Sequence, residues 1–387
     1  MTNPILPALQ FSATAGDMNH LRFKRRKMAE DHHPSLFPGL PDDIAKLFLS
    51  LVPPSTLYYV CRSWRSLIYT PSFPPFLSLY AVVSPSTPAQ NHISNHLEVC
   101  SFDPISCKWN TLPSPPSDPP PQILIRHRSF ISRKIPIQSV TVSGSLVVLA
   151  ATDDQFLPAL SQPLVFNPMS GKWSNGPRLS TPRRWCAAGA SGRTIYVASG
   201  VGASYNSEVA RTVDRWELDP KQGDHEHCEW RRMGSLKDVK FCRDAIEAVG
   251  WRGKLCMVNV KGDAAKDGIM YDVESDRWEK MPEGMLMGWK GPVAAMAEET
   301  IYAVDENKGL LKKYDDLRDA WVAVVEDSML IGAQQVAAAG GRVCVLCDDG
   351  VRIVVVDVAS PEARLWVVDA PPGVQVVGIH ILPRVAG

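Results

Sequence analysis

The sequence lacks the features that mark secreted and membrane-spanning proteins. The 387-residue chain has no apolar run of roughly 18 residues, and its N-terminal part has no hydrophobic segment typical of a signal peptide. It also lacks a charge excess, because 41 Lys and Arg residues are balanced by 41 Asp and Glu residues. Balanced charge provides no global field for nucleic acid or an anionic membrane. We expect neither as a partner, and we expect the protein in the cytoplasm, the nucleus or both.

Residues that carry enzymatic or metal chemistry are also scarce. None of the nine histidines lies between residues 128 and 224 or between 228 and 379, although copper sites need several His ligands. The cluster HEHC at 225–228 lies in an insertion, and the CxxC pair Cys344 and Cys347 lies in an apolar strand that favours core packing. Phosphate-binding loops and G-x-S-x-G motifs are absent. We expect no metal, no cofactor and no catalytic residues, and the nine irregularly spaced cysteines suit a reducing compartment.

A tryptophan-centred phrase recurs six times after residue 95. Each copy has a short apolar strand, a polar turn and a second strand with one tryptophan: Trp109, Trp173, Trp230, Trp278, Trp321 and Trp366. A repeat of about 40 to 60 residues with four strand-like runs per unit is typical of a β-propeller. The pattern predicts a mainly β fold with a six-bladed propeller over residues 76–387. We expect the tryptophans to pack between blades, because each ring offers a large apolar surface.

The two ends of the repeat region complement each other. The first unit has no inner strand before Leu77–Val83, whereas residues 374–382 form a spare strand with no unit after it. The C-terminal strand is therefore expected to complete the first blade, because ring closure removes exposed sheet edges. The Pro-rich stretch 114–135 is expected to be an excursion between blades one and two.

The N-terminal part of the chain differs from the repeat region. Residues 1–34 are polar and irregular, so a disordered tail is expected, and the basic cluster at 22–27 is also typical of nuclear import signals. Residues 35–75 predict a small all-α module. Its first helix opens near Leu40-Pro41-Asp42-Asp43, carries the apolar face Ile44, Leu47, Phe48 and Leu51, and ends at Pro53-Pro54. A second helical set comprises Leu57, Val60, Cys61, Trp64 and Ile68.

Two sequence blocks carry a family resemblance. The helical module resembles an F-box through LPDDI at 40–44 and VCRSWRSL at 60–67. The remainder is similar to a kelch-type propeller with degenerate repeats, notably at 183–202 and 248–268. The usual double glycine after the second strand is replaced by SGVG at 199–202, by KG at 261–262 and by DE at 305–306. Over about 350 residues the chain resembles a plant F-box/kelch-repeat protein of the Skp-interacting-partner type.

The resemblance implies a non-catalytic, substrate-recognition subunit of a Skp–cullin–F-box ubiquitin ligase. The F-box would dock on a Skp-family adaptor, and through it on a cullin, while the propeller binds an unknown substrate protein. Two alternatives stay open: a kelch scaffold outside any ligase, and a propeller enzyme. The candidate adaptor-binding residues are Leu40, Pro41, Ile44, Leu57, Val60 and Trp64.

Strand polarity predicts the substrate-binding side of the propeller. The loops that enter the inner strands and those that leave the second strands lie on the same side of the ring. These loops are rich in arginine, lysine and aromatic residues, which are preferred interface anchors. The candidate substrate-binding residues are Arg183, Arg184, Trp185, Tyr205, Arg243, Lys261, Trp289 and Lys290. An acidic segment of the substrate is one hypothesis for the partner.

Overall fold

The structure is a computed structural model of the whole chain. It describes residues 35–85, 93–116, 121–126, 137–219, 228–237, 239–241, 245–261, 264–347 and 350–385. The expected tail 1–34 and its basic cluster lie outside the described residues. The chain divides into two compact units, Met1–Pro74 and Pro75–Gly387. Across the described ranges, none of the helices combines the length and apolar character needed to cross a membrane.

The first unit contains three short helices: α1 Asp42–Ser50, α2 Pro54–Val60 and α3 Arg62–Leu67. Asp42 and Asp43 lie in the first turn of α1, where the helix dipole favours negative charge. Pro54 does not merely end α1: it is the first residue of α2, a position where the missing N–H costs little. Cys61 has extended backbone angles, φ −156° and ψ 169°, and its sulfur accepts the Trp64 N–H. The second helical set is therefore two helices with a sharp break between them.

The second unit is a mainly β, six-bladed propeller, which confirms the expected fold class. The strands of blades one to three are β1 Leu77–Pro85, β2 Ile93–His96, β3 Glu98–Asp103, β4 Lys108–Thr111, β5 Gln122–Arg126, β6 Ile137–Val142, β7 Ser145–Ala151, β8 Leu164–Asn167, β9 Lys172–Asn175, β10 Ala187–Ser191, β11 Thr194–Ala198, β12 Val213–Glu217 and β13 Arg231–Arg232. Those of blades four to six are β14 Ala245–Trp251, β15 Lys254–Lys261, β16 Ala264–Asp272, β17 Arg277–Lys280, β18 Val293–Met296, β19 Thr300–Asp305, β20 Leu310–Asp315, β21 Ala320–Glu326, β22 Gln335–Ala339, β23 Arg342–Cys347, β24 Arg352–Asp357 and β25 Arg364–Asp369, followed by β26 Val374–Pro383.

Each blade is a four-stranded antiparallel sheet. Blades two to six use four consecutive strands, whereas the first blade has the order β26-β1-β3-β4. The last strand thus pairs with β1 from Leu77↔Pro383 to Pro85↔Val374, with one irregularity at Val82/Val83. The innermost strands β26, β6, β10, β14, β18 and β22 are neighbours around the ring.

Three features of the propeller unit were not expected from the sequence. Strands β2 and β5 form a separate two-stranded sheet, so part of the Pro-rich stretch 114–135 is a strand. Two short helices, α4 Ser207–Ala210 and α5 Glu283–Met287, lie in loops. A 3₁₀ turn spans Ser328–Leu330. Such short elements have too few residues to show a helical period.

The repeated tryptophans connect neighbouring blades. In five blades the indole N–H donates to a backbone carbonyl of the preceding blade's last strand or the segment just after it, at 2.7–2.9 Å: Trp109 to Asp369, Trp173 to Pro113, Trp230 to Pro177, Trp278 to Gly234 and Trp321 to Met285. Each of these rings also contacts an aromatic ring on the third strand, with centroids 5.1–5.7 Å apart. The expected role in blade packing fits these five positions.

Trp366 of the sixth blade is arranged differently. Its cross-strand partner is Val355, which packs with residues of the first blade. Tyr314, the partner of Trp321, instead packs with residues of the preceding fourth blade. Trp366 therefore lies on the opposite face of its sheet, is 41% exposed, and has the Arg342 guanidinium 5.7 Å from its ring. Unlike the other five tryptophans, Trp366 does not connect two neighbouring blades.

Candidate protein-binding surfaces

The α1 helix exposes an apolar face to solvent. Ile44, Leu47, Phe48 and Leu51 are between 44% and 83% exposed, while Ala45 and Leu49 on the other side of the helix are buried. Four large apolar side chains at i, i+3, i+4 and i+7 form one stripe along a helix. Such a stripe on a small module is typical of a surface that is covered by a partner. We call these four residues the α1 face.

The candidate adaptor-binding residues divide between surface and core. Pro41, Ile44 and Val60 are exposed, and Leu40 is half-buried. Leu57 is fully buried, so it supports the helical module from inside and does not reach the surface.

Trp64 also acts mainly within the module. Its indole N–H donates to the Leu36 carbonyl oxygen at 3.0 Å, and its ring lies 5.0 Å from that of Phe37. Trp64 therefore fastens the segment before α1 onto α3. The adaptor-binding set expected from the sequence does not include Leu47, Phe48 or Leu51, although their helical spacing with Ile44 places them on the same exposed face.

On the propeller, the loops that enter the inner strands and leave the second strands define what we call the loop face. It holds Arg184, Trp185, Tyr205 and Lys290 from the candidate set. Arg243 lies outside the described residues, and Lys261 is described only as the last backbone position of β15. The loop face also exposes apolar side chains around the ring: Leu157, Tyr205, Met287, Ile331 and Val351.

Arg183 is buried beneath the loop face, contrary to its expected position as an interface anchor. Its side chain forms an ion pair with Asp214 and donates to the Ser199 carbonyl oxygen at 3.2 Å. Burial lowers the pKa of Arg183, and the Asp214 carboxylate opposes that shift. Arg232 reaches the same carboxylate at 3.4 Å. Arg183 therefore fixes the 181–186 loop from below.

Trp289 is also buried, so it cannot present its ring to a partner. Its indole N–H donates to a Glu247 carboxylate oxygen at 3.2 Å, and its ring centroid lies 6.3 Å from that of Trp321. These contacts place Trp289 in the core between the fourth and fifth blades. A loop position indicated the side of the ring correctly but not the depth of the side chain.

Arg184 and Trp185 form the most defined feature of the loop face. The Arg184 guanidinium lies 4.4 Å from the centroid of the Trp185 ring. Trp185 has φ 55°, a backbone conformation that bulky residues rarely adopt. Burial lowers the pKa of Arg184, while the Asp153 charge raises it.

The six inner strands surround a channel with a cavity of ≈ 380 Å³. Small residues such as Ala188, Gly189 and Ala295 form much of its wall. His380 also lines it, with its ring nitrogens 2.9 Å from the Ser139 hydroxyl and 3.1 Å from the Thr141 hydroxyl. Burial lowers the pKa of His380 to about 4.

The structure describes the two candidate metal-ligand motifs to different extents. Residues 225–227 of the HEHC cluster lie outside the described residues, and Cys228 is half-buried. Cys344 and Cys347 are buried in separate apolar clusters, so they lie on opposite faces of β23. Burial also raises the pKa of Cys344 to about 12. Both cysteines pack in the core, in line with the sequence prediction. Within the described ranges, no three His, Cys, Asp or Glu side chains cluster suitably for a metal ion.

Comparison with known proteins gives a consistent set of relatives. No protein-family model matches the chain. The chain is 48% identical over 369 residues to the F-box/kelch-repeat protein SKIP25 of Arabidopsis thaliana, which covers 94% of this chain and 93% of the relative. It is 24% identical to the F-box protein AFR of the same plant, with 76% and 75% covered. A solved chain from the nidogen/laminin complex aligns over 79% of this chain and 98% of its own length, at 12% identity and a TM-score of 0.49.

Proposed function

This chain belongs to the F-box/kelch-repeat family, and from that membership we propose that it is the substrate-recognition subunit of a Skp–cullin–F-box ubiquitin ligase. The helical module docks on a Skp-family adaptor, which connects it to a cullin. The propeller binds the protein to be ubiquitinated. The chain itself makes or breaks no bond, and it works wherever the ligase assembles, in the cytoplasm or the nucleus.

The observation that carries the adaptor half of this proposal is the α1 face. Burying Leu47, Phe48 and Leu51 against a partner would stabilise a complex by about 1.5–3 kcal/mol for each fully buried side chain. An amphipathic helix that lays its apolar stripe into a groove is a common mode of recognition. Pro41, Ile44 and Val60 extend the surface offered to the adaptor.

The loop face supports the substrate half of the proposal. It presents half-buried Arg184 and Trp185 together with exposed apolar side chains such as Tyr205 and Met287. Arginine and aromatic residues dominate the energetically important positions of protein interfaces. Loops displayed by a rigid ring can vary in sequence without loss of the underlying fold.

Adaptor co-purification tests the docking assignment. Leu47→Glu in the full-length chain should abolish retention of a plant Skp-family adaptor, because the variant places a charge in the buried centre of the interface. Lys46→Glu is the matched control: it adds the same carboxylate one residue away, on the side of α1 opposite to the α1 face. Retention of the adaptor by Leu47→Glu would refute docking through this face. A wild-type chain that retains no adaptor would leave the kelch scaffold as the better interpretation.

A further inference from the structure

Arg184 carries a positive charge on the loop face that no described residue neutralises directly. Its Nε atom is buried without a hydrogen-bond partner, and the side chain forms no ion pair with the described part of the chain. Its neighbour Arg183 differs completely, since it is paired with Asp214 in the core. Arg184 is therefore a partly desolvated cation whose guanidinium contacts the Trp185 ring and has no ion-pair partner among the described residues.

Asp153 is the described carboxylate whose charge acts on Arg184, but one of its oxygens already accepts backbone hydrogen bonds. Its Oδ1 atom accepts the backbone N–H groups of Gln155 at 3.0 Å and Leu157 at 2.7 Å. Its charge raises the pKa of Arg184 less than burial lowers it. An incoming anion would therefore relieve a desolvation cost that Asp153 leaves uncompensated.

The backbone holds Arg184 in a fixed place. Its N–H and C=O groups exchange two 2.9 Å hydrogen bonds with Val201. Gly200, with φ 93°, allows this close approach, because a Cβ atom there would lie 2.9 Å from the Arg184 carbonyl oxygen. The buried Arg183 anchors the same loop from beneath. A binding group that is already positioned loses little entropy when a ligand arrives.

The Trp185 ring supports the Arg184 guanidinium, and the backbone of Trp185 is strained. A tryptophan at φ 55° is an outlier, and backbone outliers concentrate at ligand-binding positions. Its ring stacks against the guanidinium, which helps orient a planar group whose donors match a carboxylate. Phosphate recognition, by contrast, typically uses several arginines, and Asp153 would repel a dianion more than a monoanion.

Building on the proposed function, we propose that Arg184 and Trp185 form a carboxylate-binding site for an Asp or Glu side chain in a substrate segment. The guanidinium pairs with the carboxylate, and the Trp185 ring supports the guanidinium from one side. The acidic residue supplies the specific contact, while exposed apolar residues of the loop face accept its neighbours in the segment.

The test uses the full-length protein and three immobilised decapeptide libraries, which are randomised except for a central Glu, Gln or phosphoserine. The Glu library should bind more strongly than the other two, and added salt should weaken its binding. Arg184→Ala should reduce Glu-library binding by about ten- to a hundredfold, the effect of losing a charge-assisted hydrogen bond. Arg184→Glu should reverse the charge preference, so that this variant favours a fourth library with a central Lys.

Arg193→Ala is the matched control. Arg193 pairs with Glu217 at 2.9 Å at the opposite end of the same blade, so its removal should leave peptide binding unchanged. Equal binding of the Glu and Gln libraries, or unchanged binding by Arg184→Ala, would overturn the carboxylate site. Preference for the phosphoserine library would replace it with a phosphate site.

The same samples separate this inference from the ligase role. Adaptor co-purification depends on the α1 face and not on Arg184. An Arg184→Ala chain that retains the adaptor and also keeps its peptide binding would contradict the carboxylate site alone. A wild-type chain that binds Glu peptides but no adaptor would contradict the ligase role alone.

Discussion

The indole N–H of Trp109 in the first blade donates to the Asp369 carbonyl oxygen in the sixth, at 2.9 Å across 260 positions of sequence. The same bond links four other consecutive pairs of blades. At the junction of blades one and six it supplements the pairing of β26 with β1. Ring closure thus rests on a backbone ladder and on a side-chain bond that repeats around the ring.

Replacing Trp109 with Phe should weaken ring closure. Phe keeps a six-membered aromatic ring but lacks the pyrrole part of the indole and its N–H donor, so the free energy of unfolding should fall by at least about 1 kcal/mol. Urea unfolding followed by far-UV circular dichroism measures this change. Trp366→Phe is the control, because Trp366 is partly exposed and does not link two blades; its effect should stay within about 0.5 kcal/mol. Equal losses in the two variants would contradict the linking role of Trp109.

Substitution of Arg183 should destabilise the protein much more than substitution of Arg184, although the two residues are adjacent. Arg183→Ala leaves the Asp214 carboxylate buried without its main partner, which should lower the free energy of unfolding by about 3–5 kcal/mol. Arg184→Ala should change it by no more than about 0.5 kcal/mol. Thermal and urea unfolding of both variants measure these changes in the free energy of unfolding. A stable Arg183→Ala chain would show that the Asp214 pair is not structural.

His380 should make the propeller less stable in mild acid. Burial lowers its pKa from 6.5 to about 4, so the unfolded chain binds a proton more readily than the folded chain between these values. Its contribution to stability is complete above pH 6.5 and declines as the pH falls towards 4. At pH 5 the loss is roughly 2 kcal/mol.

Comparison with His380→Asn isolates that contribution from those of the carboxylates. Urea unfolding at pH 7.5 and pH 5 should show a smaller pH-dependent loss in the variant than in the wild type. Ser139 and Thr141 face the imidazole from β6 and carry no charge, so they add no titration of their own. Identical pH dependence of the two proteins would exclude His380 as the source.

Two leucines of the helical module should separate folding from docking. Leu57→Ala removes a fully buried side chain and should destabilise the module by about 2–5 kcal/mol. Leu47→Ala removes an exposed side chain, so it should leave protease resistance unchanged while reducing adaptor retention. Limited proteolysis together with adaptor co-purification measures both properties. Loss of protease resistance in Leu47→Ala would place that residue in the core.

The fold could be predicted because periodic features determine it. The spacing of an aromatic residue seven positions before tryptophan, as in Phe102 and Trp109 or Tyr314 and Trp321, fixes a four-residue turn and one cross-strand pair. The sixth blade lacks this spacing, since Trp366 pairs with Val355 after a longer turn. The recurrence of tryptophan therefore predicts the sixth blade, but it does not predict that Trp366 lies on the opposite face of its sheet.

The candidate sites were less predictable because they depend on how deeply each side chain is buried. Loop topology places Arg183, Arg184 and Trp289 on one side of the ring, yet a buried carboxylate draws Arg183 inward and the core between blades four and five takes Trp289. In the helical module, the apolar period identified the α1 face but not which residues point to solvent. Local sequence cannot supply these choices, because partners distant in sequence decide them.

The most direct measurement is the capture of partners on the full-length protein while proteasomal degradation is blocked, with Leu47→Glu and Arg184→Ala compared in parallel. The wild-type chain should capture a Skp-family adaptor, a cullin and at least one ubiquitinated protein. Leu47→Glu should lose the adaptor, the cullin and the ubiquitin while still binding the substrate, and Arg184→Ala should retain the adaptor and lose the substrate. A wild-type chain that captures neither adaptor nor cullin, or a substrate that is ubiquitinated equally with Leu47→Glu, would contradict the proposed ligase role.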